Sequence, residues 1–231
     1  MLGVAASRRG RLEEAERAYR RVVELQPESP AGYAGLASIY HLRKQLPEAE
    51  ENYLTAVRLG AGPDTRVNLG QLYFETGRYR EAVDVFERLV QDVPGRDTYW
   101  RILGDAYRDL GTLDRAREAY RQAVTAGEQE LKVNARDPRT LSSLAVSEAK
   151  LGLADRARQH VQLAVDLSPK VNDILYRASV VSILLGDADS ALAYLRQAID
   201  AGYPAQRAAE DKDLAPLRSL SDYKKVVTPG V

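Results

Sequence analysis

The sequence predicts an all-α solenoid: about six helix pairs stacked in a row and closed by a C-terminal segment. The first observation behind this is spacing. Ala15, Ala49, Ala82, Ala116, Ala157 and Ala191 are separated by gaps of 34, 33, 34, 41 and 34 residues. A large apolar residue follows each by four positions (Tyr19, Tyr53, Phe86, Tyr120, Val161, Leu195), and a small one precedes each by twelve (Gly3, Ala37, Gly70, Gly104, Ala145, Ser179). Three series in one register mark a true repeat. The second observation is punctuation. Gly10, Gly77, Gly111, Gly152 and Gly186 fall between two stretches of helical periodicity, where a tight turn needs positive φ. No strand-like alternation of useful length interrupts the pattern.

The units are expected near residues 1–29, 30–62, 63–96, 97–137, 138–171 and 172–204, with a cap over 205–231. The first begins at an odd place, because Leu2-Gly3 corresponds to Leu69-Gly70 and only Met1 precedes it. Its first helix should be clipped and should turn at Gly10, which favours a piece of a longer protein. An uncapped repeat also offers an apolar face for self-association. In the second unit Lys44 replaces the turn glycine, so that turn should be the least comfortable.

Ser29-Pro30, Pro63-Asp64, Asp137-Pro138 and Ser168-Pro169 mark the boundaries, since Ser or Asp before Pro suits an N-cap and first helical residue. The fourth unit carries seven extra residues, nearly two turns, which return the apolar stripe to the same side. One unbroken helix is therefore expected from about Thr112 to about Asn134. Leu131 and Val133 should face inward, and Gly127 is the discordant residue. Leu2, Leu36, Leu69, Leu103 and Leu144 should form the seam. The small residues let helices approach closely, with each aromatic filling space against the next unit. After Ala201, Pro204 and Pro216 break the chain into short pieces whose Leu214, Leu217, Leu220 and Tyr223 should cover the last pair.

Composition narrows the function. Hydrophobic residues are 45% and charged residues 29%, as in a folded protein. The 33 Lys and Arg balance 33 Asp and Glu, so no net field draws nucleic acid or an anionic membrane. With no cysteine there is no disulfide, thiolate metal site or thiol nucleophile. Membrane insertion is not expected: the most apolar stretch, Leu175 to Leu185, contains Arg177 and falls short of the ~20 residues a span needs. The start, MLGVAASRRGRLEE, puts charge after apolar residues, the reverse of a secretory signal, and a cytoplasmic location is expected.

Chemistry is equally sparse. His41 and His160 lie too far apart in sequence to suggest a shared metal, and no HExxH, GxSxG, Walker-type or dinucleotide motif occurs. Glu13-Glu14 and Glu50-Glu51 read as solvated helix faces, and the arginines from Arg8 to Arg21 are offset by Glu13, Glu14 and Glu16. Tyr19, Tyr40, Tyr53, Tyr73, Tyr107 and Tyr120 fall at packing positions and read as core. No catalytic residue, metal or cofactor is expected.

The stretches LGQLYFETGRYREAVDVFERLVQDVP (69–94) and WRILGDAYRDLGTLDRAREAYRQAV (100–124) resemble the tetratricopeptide-repeat (TPR) pattern, and the resemblance covers about residues 1–204. It implies a right-handed superhelix of antiparallel helix pairs whose inner surface binds a protein or peptide segment. The groove positions it implies are Ser38 and His41; Val67, Gln71, Phe74 and Glu75; Arg101, Asp105, Arg108 and Asp109; Ser142, Val146 and Lys150; Tyr176, Val180 and Ile183. Phe74, Arg101, Asp105 and Arg108 suggest a partner segment with acidic residues beside an apolar anchor. The Lys and Asn arrangement that clamps chaperone C-terminal tails in some TPR proteins is missing. The final AGYPAQRAAEDKDLAPLRSLSDYKKVV is similar to the end of TPR regions in bacterial serine/threonine kinases and nucleotide cyclases. The leading expectation is a non-catalytic interaction scaffold. The alternatives are a C-terminal regulatory region of a larger signalling enzyme and, from another class, a helical-repeat enzyme.

Overall fold

The computed structural model describes residues 2–227, with side chains from residue 11 onward. Within them the chain is helical throughout and has no strand. The helices are α1 (Leu2–Leu25), α2 (Pro30–Leu42), α3 (Leu46–Arg58), α4 (Pro63–Glu75), α5 (Tyr79–Asp92), α6 (Asp97–Asp109) and α7 (Leu113–Val133), followed by α8 (Pro138–Lys150), α9 (Ala154–Leu167), α10 (Asn172–Leu184) and α11 (Ala188–Asp200). Short α12 (Ala205–Glu210), a 3-10 turn (Ala215–Ser219) and α13 (Tyr223–Val227) close the chain. No helix among the described residues is long and apolar enough to cross a membrane. Two compact units emerge, one built on α1–α5 and the other on α6–α13, with Asp109–Gly111 belonging to the first.

Each first helix starts at a constant distance before its small residue: Pro30 before Ala37, Pro63 before Gly70, Asp97 before Gly104, Pro138 before Ala145 and Asn172 before Ser179. Register therefore outranks the Pro signal at the last boundary. Contrary to expectation, Ser168-Pro169 lies in the turn: Ser168 caps the end of α9, and Val171 is the N-cap of α10. Capping chemistry is uneven. Asp137 accepts the Thr140 N–H at 2.9 Å, whereas Ser29 makes no side-chain cap bond. The turns of the pairs place Gly77, Gly111, Gly152 and Gly186 at φ between 71° and 85°, and Lys44 holds the same left-handed conformation at φ 60°.

In the first unit the ring of Phe86 lies on Gly70, so close that an added Cβ would sit 2.5 Å from it. In the second, Tyr120 lies on Gly104 with a corresponding distance of 2.4 Å. This corrects the expectation that these rings fill space against the next unit. The missing Cβ leaves its hole within the pair, and the ring of the paired helix fills it.

The turn expected at Gly10 is also absent, because α1 runs through it. One consequence reaches Tyr19. With no antiparallel first helix of its own, it leans on Gly35 and stays 37% exposed instead of entering the core.

In the second unit α7 runs unbroken from Leu113 to Val133, as the seven-residue excess predicts. Gly127 is buried where Leu144 of α8 and Asp97 of α6 come close. Leu131 packs against Leu141, Ile174 and Ala164, but Val133 is 92% exposed. Two residues on a helix turn through about 200°, so both could not face inward. The tail folds over α10 and α11: Ala208, Leu214, Leu217, Tyr223 and Val226 join the core that holds Leu175, Val181, Leu195 and Ala198.

Candidate functional site

The first helices of the second unit, α6, α8 and α10, carry the polar cluster. On α6, Arg101, Asp105 and Arg108 are spaced four and three apart and so share one helical face. Arg101 Nη1 lies 3.3 Å from Asp105 Oδ2, and Arg108 Nη1 lies 3.8 Å from Asp105 Oδ1. From the end of α8, Lys150 brings Nζ to 2.5 Å from Asp105 Oδ1, with only 4% of its side chain exposed. Tyr120 of α7 donates its hydroxyl to the same oxygen at 2.9 Å. Burial by itself would raise the Asp105 carboxyl, but Lys150, then Arg101 and Arg108, hold it below the usual carboxylate range. The Tyr120 hydroxyl is pushed up by burial and by the Asp105 charge.

Three cations thus surround one carboxylate on the helices themselves. The balance comes from the tail. Asp213 pairs with Arg108 and accepts from Lys150 Nζ at 2.6 Å. Two residues earlier, Asp211 accepts the hydroxyl of Tyr176 on α10 and, at 2.7 Å, the backbone N–H of Asp213. The Tyr176 ring stacks on Tyr203, centroids 4.1 Å apart and planes 8° from parallel. Arg218 Nη2 donates to the Asp211 carbonyl at 2.9 Å, which fixes the bend between α12 and the 3-10 turn. Asp211 fares differently from Asp105. Burial first, and then the neighbouring Asp213 charge, push its carboxyl up to about 6, with Asp105 adding and Lys150 opposing.

Of the sequence-derived positions, Arg101, Asp105, Arg108, Lys150 and Tyr176 meet in this cluster or beside it. Ser142 and Val146 on α8 and Val180 on α10 are buried, and Ile183 packs partly buried against the same core as the tail. Ser142 Oγ accepts from Arg177 Nη1 at 3.0 Å, and burial draws the Arg177 guanidinium down to about 10.

In the first unit, Phe74 is half-buried against Tyr79 and Phe86, with centroids 6.1 and 6.0 Å away. Glu75 receives Lys44 Nζ at 2.9 Å and lies 3.2 Å from His41 Nε2. Ser38 donates to the Ala34 carbonyl at 2.9 Å, and Val67 and Gln71 are partly exposed on α4. Glu148, fully buried on α8, is met by His160 Nδ1 at 2.7 Å and Arg156 Nη2 at 2.8 Å. Sequence reasoning missed Asp211 and Asp213. The composition of α6 and α8 gave no signal for them, because the two helices carry as many acidic as basic residues.

One tetratricopeptide repeat model matches residues 1–64 and 67–131, and a second matches residues 173–201. The chain belongs to the tetratricopeptide repeat family. Proteins of this family are generally protein-interaction scaffolds. The chain is 26% identical over 184 residues to TPR repeat-containing protein MJ1428 of Methanocaldococcus jannaschii, covering 74% of this chain and 30% of that protein. It is 28% identical over 168 residues to the type IV pilus assembly protein PilF of Pseudomonas aeruginosa, covering 70% of this chain and 63% of that one. The chain thus spans less than two thirds of the length of either relative. A TPR protein of solved structure from Parabacteroides merdae superposes with a TM-score of 0.59 at 19% identity, covering 96% of this chain and 91% of that one. The TPR fold accounts for the helix pairs, while the chemistry must be read from this chain's own side chains.

Proposed function

We propose that this chain is a non-catalytic, cytoplasmic TPR scaffold that docks a segment of a partner protein across the first helices of its repeats. The observation that carries this reading is the cluster on α6, α8 and α10. Arg101, Arg108 and Lys150 supply more positive charge than Asp105 balances, and a stretch of polypeptide already lies against them with its Asp213 carboxylate paired to Arg108 and Lys150. A face that seats its own chain has the spacing and polarity to seat another. Arg and aromatic side chains are the types that most often dominate such contacts. The similarity to a protein named for pilus assembly supports the same reading, because assembly is the holding of other proteins.

The test is capture from the source cells followed by mass spectrometry, comparing wild type with Arg101→Glu/Arg108→Glu. The charge-reversed chain should lose the specific partners while keeping its helical signal. Partners retained at wild-type levels would move the binding surface elsewhere and end this reading.

A further inference from the structure

The tail has two halves that do different work. Leu214, Leu217, Tyr223 and Val226 are buried over the last helix pair, as a solenoid end requires. Asp211 and Asp213 do something that covering an apolar end does not need. They reach back along the first helices to Tyr176 on α10, Lys150 on α8 and Arg108 on α6. The site they fill is the one proposed above for a partner, and its charge calls for carboxylates.

From this geometry, and resting on the scaffold reading, we propose that the Asp211–Leu217 stretch is a built-in mimic of the partner. The face of α6, α8 and α10 takes a protein segment bearing a carboxylate for Arg108 and Lys150, followed by leucines, and takes it only when its own tail yields.

Three physical points support the competition. The ion pairs of Asp213 use up the two cations, Arg108 and Lys150, that an incoming carboxylate would need. A tethered segment competes at an effective concentration on the order of mM, so a partner must bind well or the tail must be loosened. The tail is also imperfectly held. Burial and the charges of Asp213 and Asp105 outweigh the Asp213 N–H and Lys150 at the Asp211 carboxylate, so its charged form is disfavoured in the contact it belongs to.

The two aspartates should therefore act in opposite directions. A fluorescent synthetic peptide of residues 205–227 is titrated into full-length chains and followed by anisotropy. Asp213→Ala, which strips Arg108 and Lys150 of their resident partner, should bind the peptide about tenfold or more tighter than wild type. Asp211→Asn keeps the acceptor for the Asp213 N–H, turns the Tyr176 hydroxyl into an acceptor for the new amide and removes the unfavourable charge, so it should bind the peptide more weakly than wild type. Adding Lys150→Met to Asp213→Ala should abolish the gain.

Equal affinity of wild type and Asp213→Ala, with matching circular dichroism, would overturn the proposal. A gain that survives Lys150→Met would do the same, as would wild-type dimers held by exchanged tails. These failures are separable from failure of the scaffold reading. If Arg101→Glu/Arg108→Glu abolishes partner capture while the peptide results fail, the scaffold stands and the tail is only a cap.

Discussion

At Gly104 an added Cβ would lie 2.4 Å from the Tyr120 ring, and at Gly127 it would lie 3.4 Å from Leu144. The two glycines should respond oppositely. Gly104→Ala forces a buried ring to move and should cost about 1–3 kcal/mol. Gly127→Ala finds ordinary contact distance inside a helix and should stabilise by about 0.5–1 kcal/mol. Urea titrations of both variants check the pair of signs. The small-to-aromatic spacing was legible because it recurs, but which helix receives the ring was not, since spacing carries no direction.

Asp211 gives a second residue-scale prediction. Its carboxyl in the folded chain, at about 6, lies above the ordinary aspartate value, so its contribution is fully favourable below roughly pH 4 and is lost as pH rises through 6. The groups facing it are Tyr176, Asp213, Lys150 and Asp105. Asp211→Asn should therefore be more stable than wild type at pH 7.5, by roughly 2 kcal/mol, with the gap shrinking through pH 4.5 and closing below about pH 4. A gap that keeps its full size down to pH 4.5 would assign the gain to something other than this charge.

Among the elements, α7 was readable from arithmetic alone, because nearly two added turns preserve the apolar stripe and leave Leu131 on the inner side. α1 was not readable, because Gly10 carries the same local signal as Gly77. What differs is the helix available to pack against, a tertiary fact that local pattern does not contain. The turn between α2 and α3 was readable as a defect: Lys44 sits at φ 60° where the other pairs have glycine. Left-handed backbone costs a side-chain-bearing residue about 1–2 kcal/mol. Against this, the exposed Lys44–Glu75 pair contributes little, and glycine loses more entropy on folding. Lys44→Gly should still raise stability by about 0.5–1 kcal/mol, measured by thermal melting. The polar half of the tail was invisible for a plainer reason. Asp211 and Asp213 follow the last repeat, so no period predicts where they return.

For the molecule as a whole, the tail is the part whose loss should be felt most widely. Each leucine it buries contributes on the order of 1.5–3 kcal/mol of favourable transfer before ordering costs. Truncation after Pro204 should lower the melting temperature and promote association, seen by light scattering. A shortened chain that melts unchanged and stays monomeric would make the tail a linker.

The bond between Arg108 and Asp213 has one more consequence, which concerns time. Repeat chains fold through contacts between neighbours, so their contact order is low and folding can begin at many points. This pair joins positions 105 residues apart. Closing so long a loop brings little gain until the helices between are in place, which puts the contact after the rate-limiting step. Asp213→Ala should accordingly steepen nothing in the refolding arm of a chevron and act almost wholly on the unfolding arm. The second unit would then owe its equilibrium architecture to its repeats, and part of its lifetime against unfolding to the late-forming ion pairs of its tail.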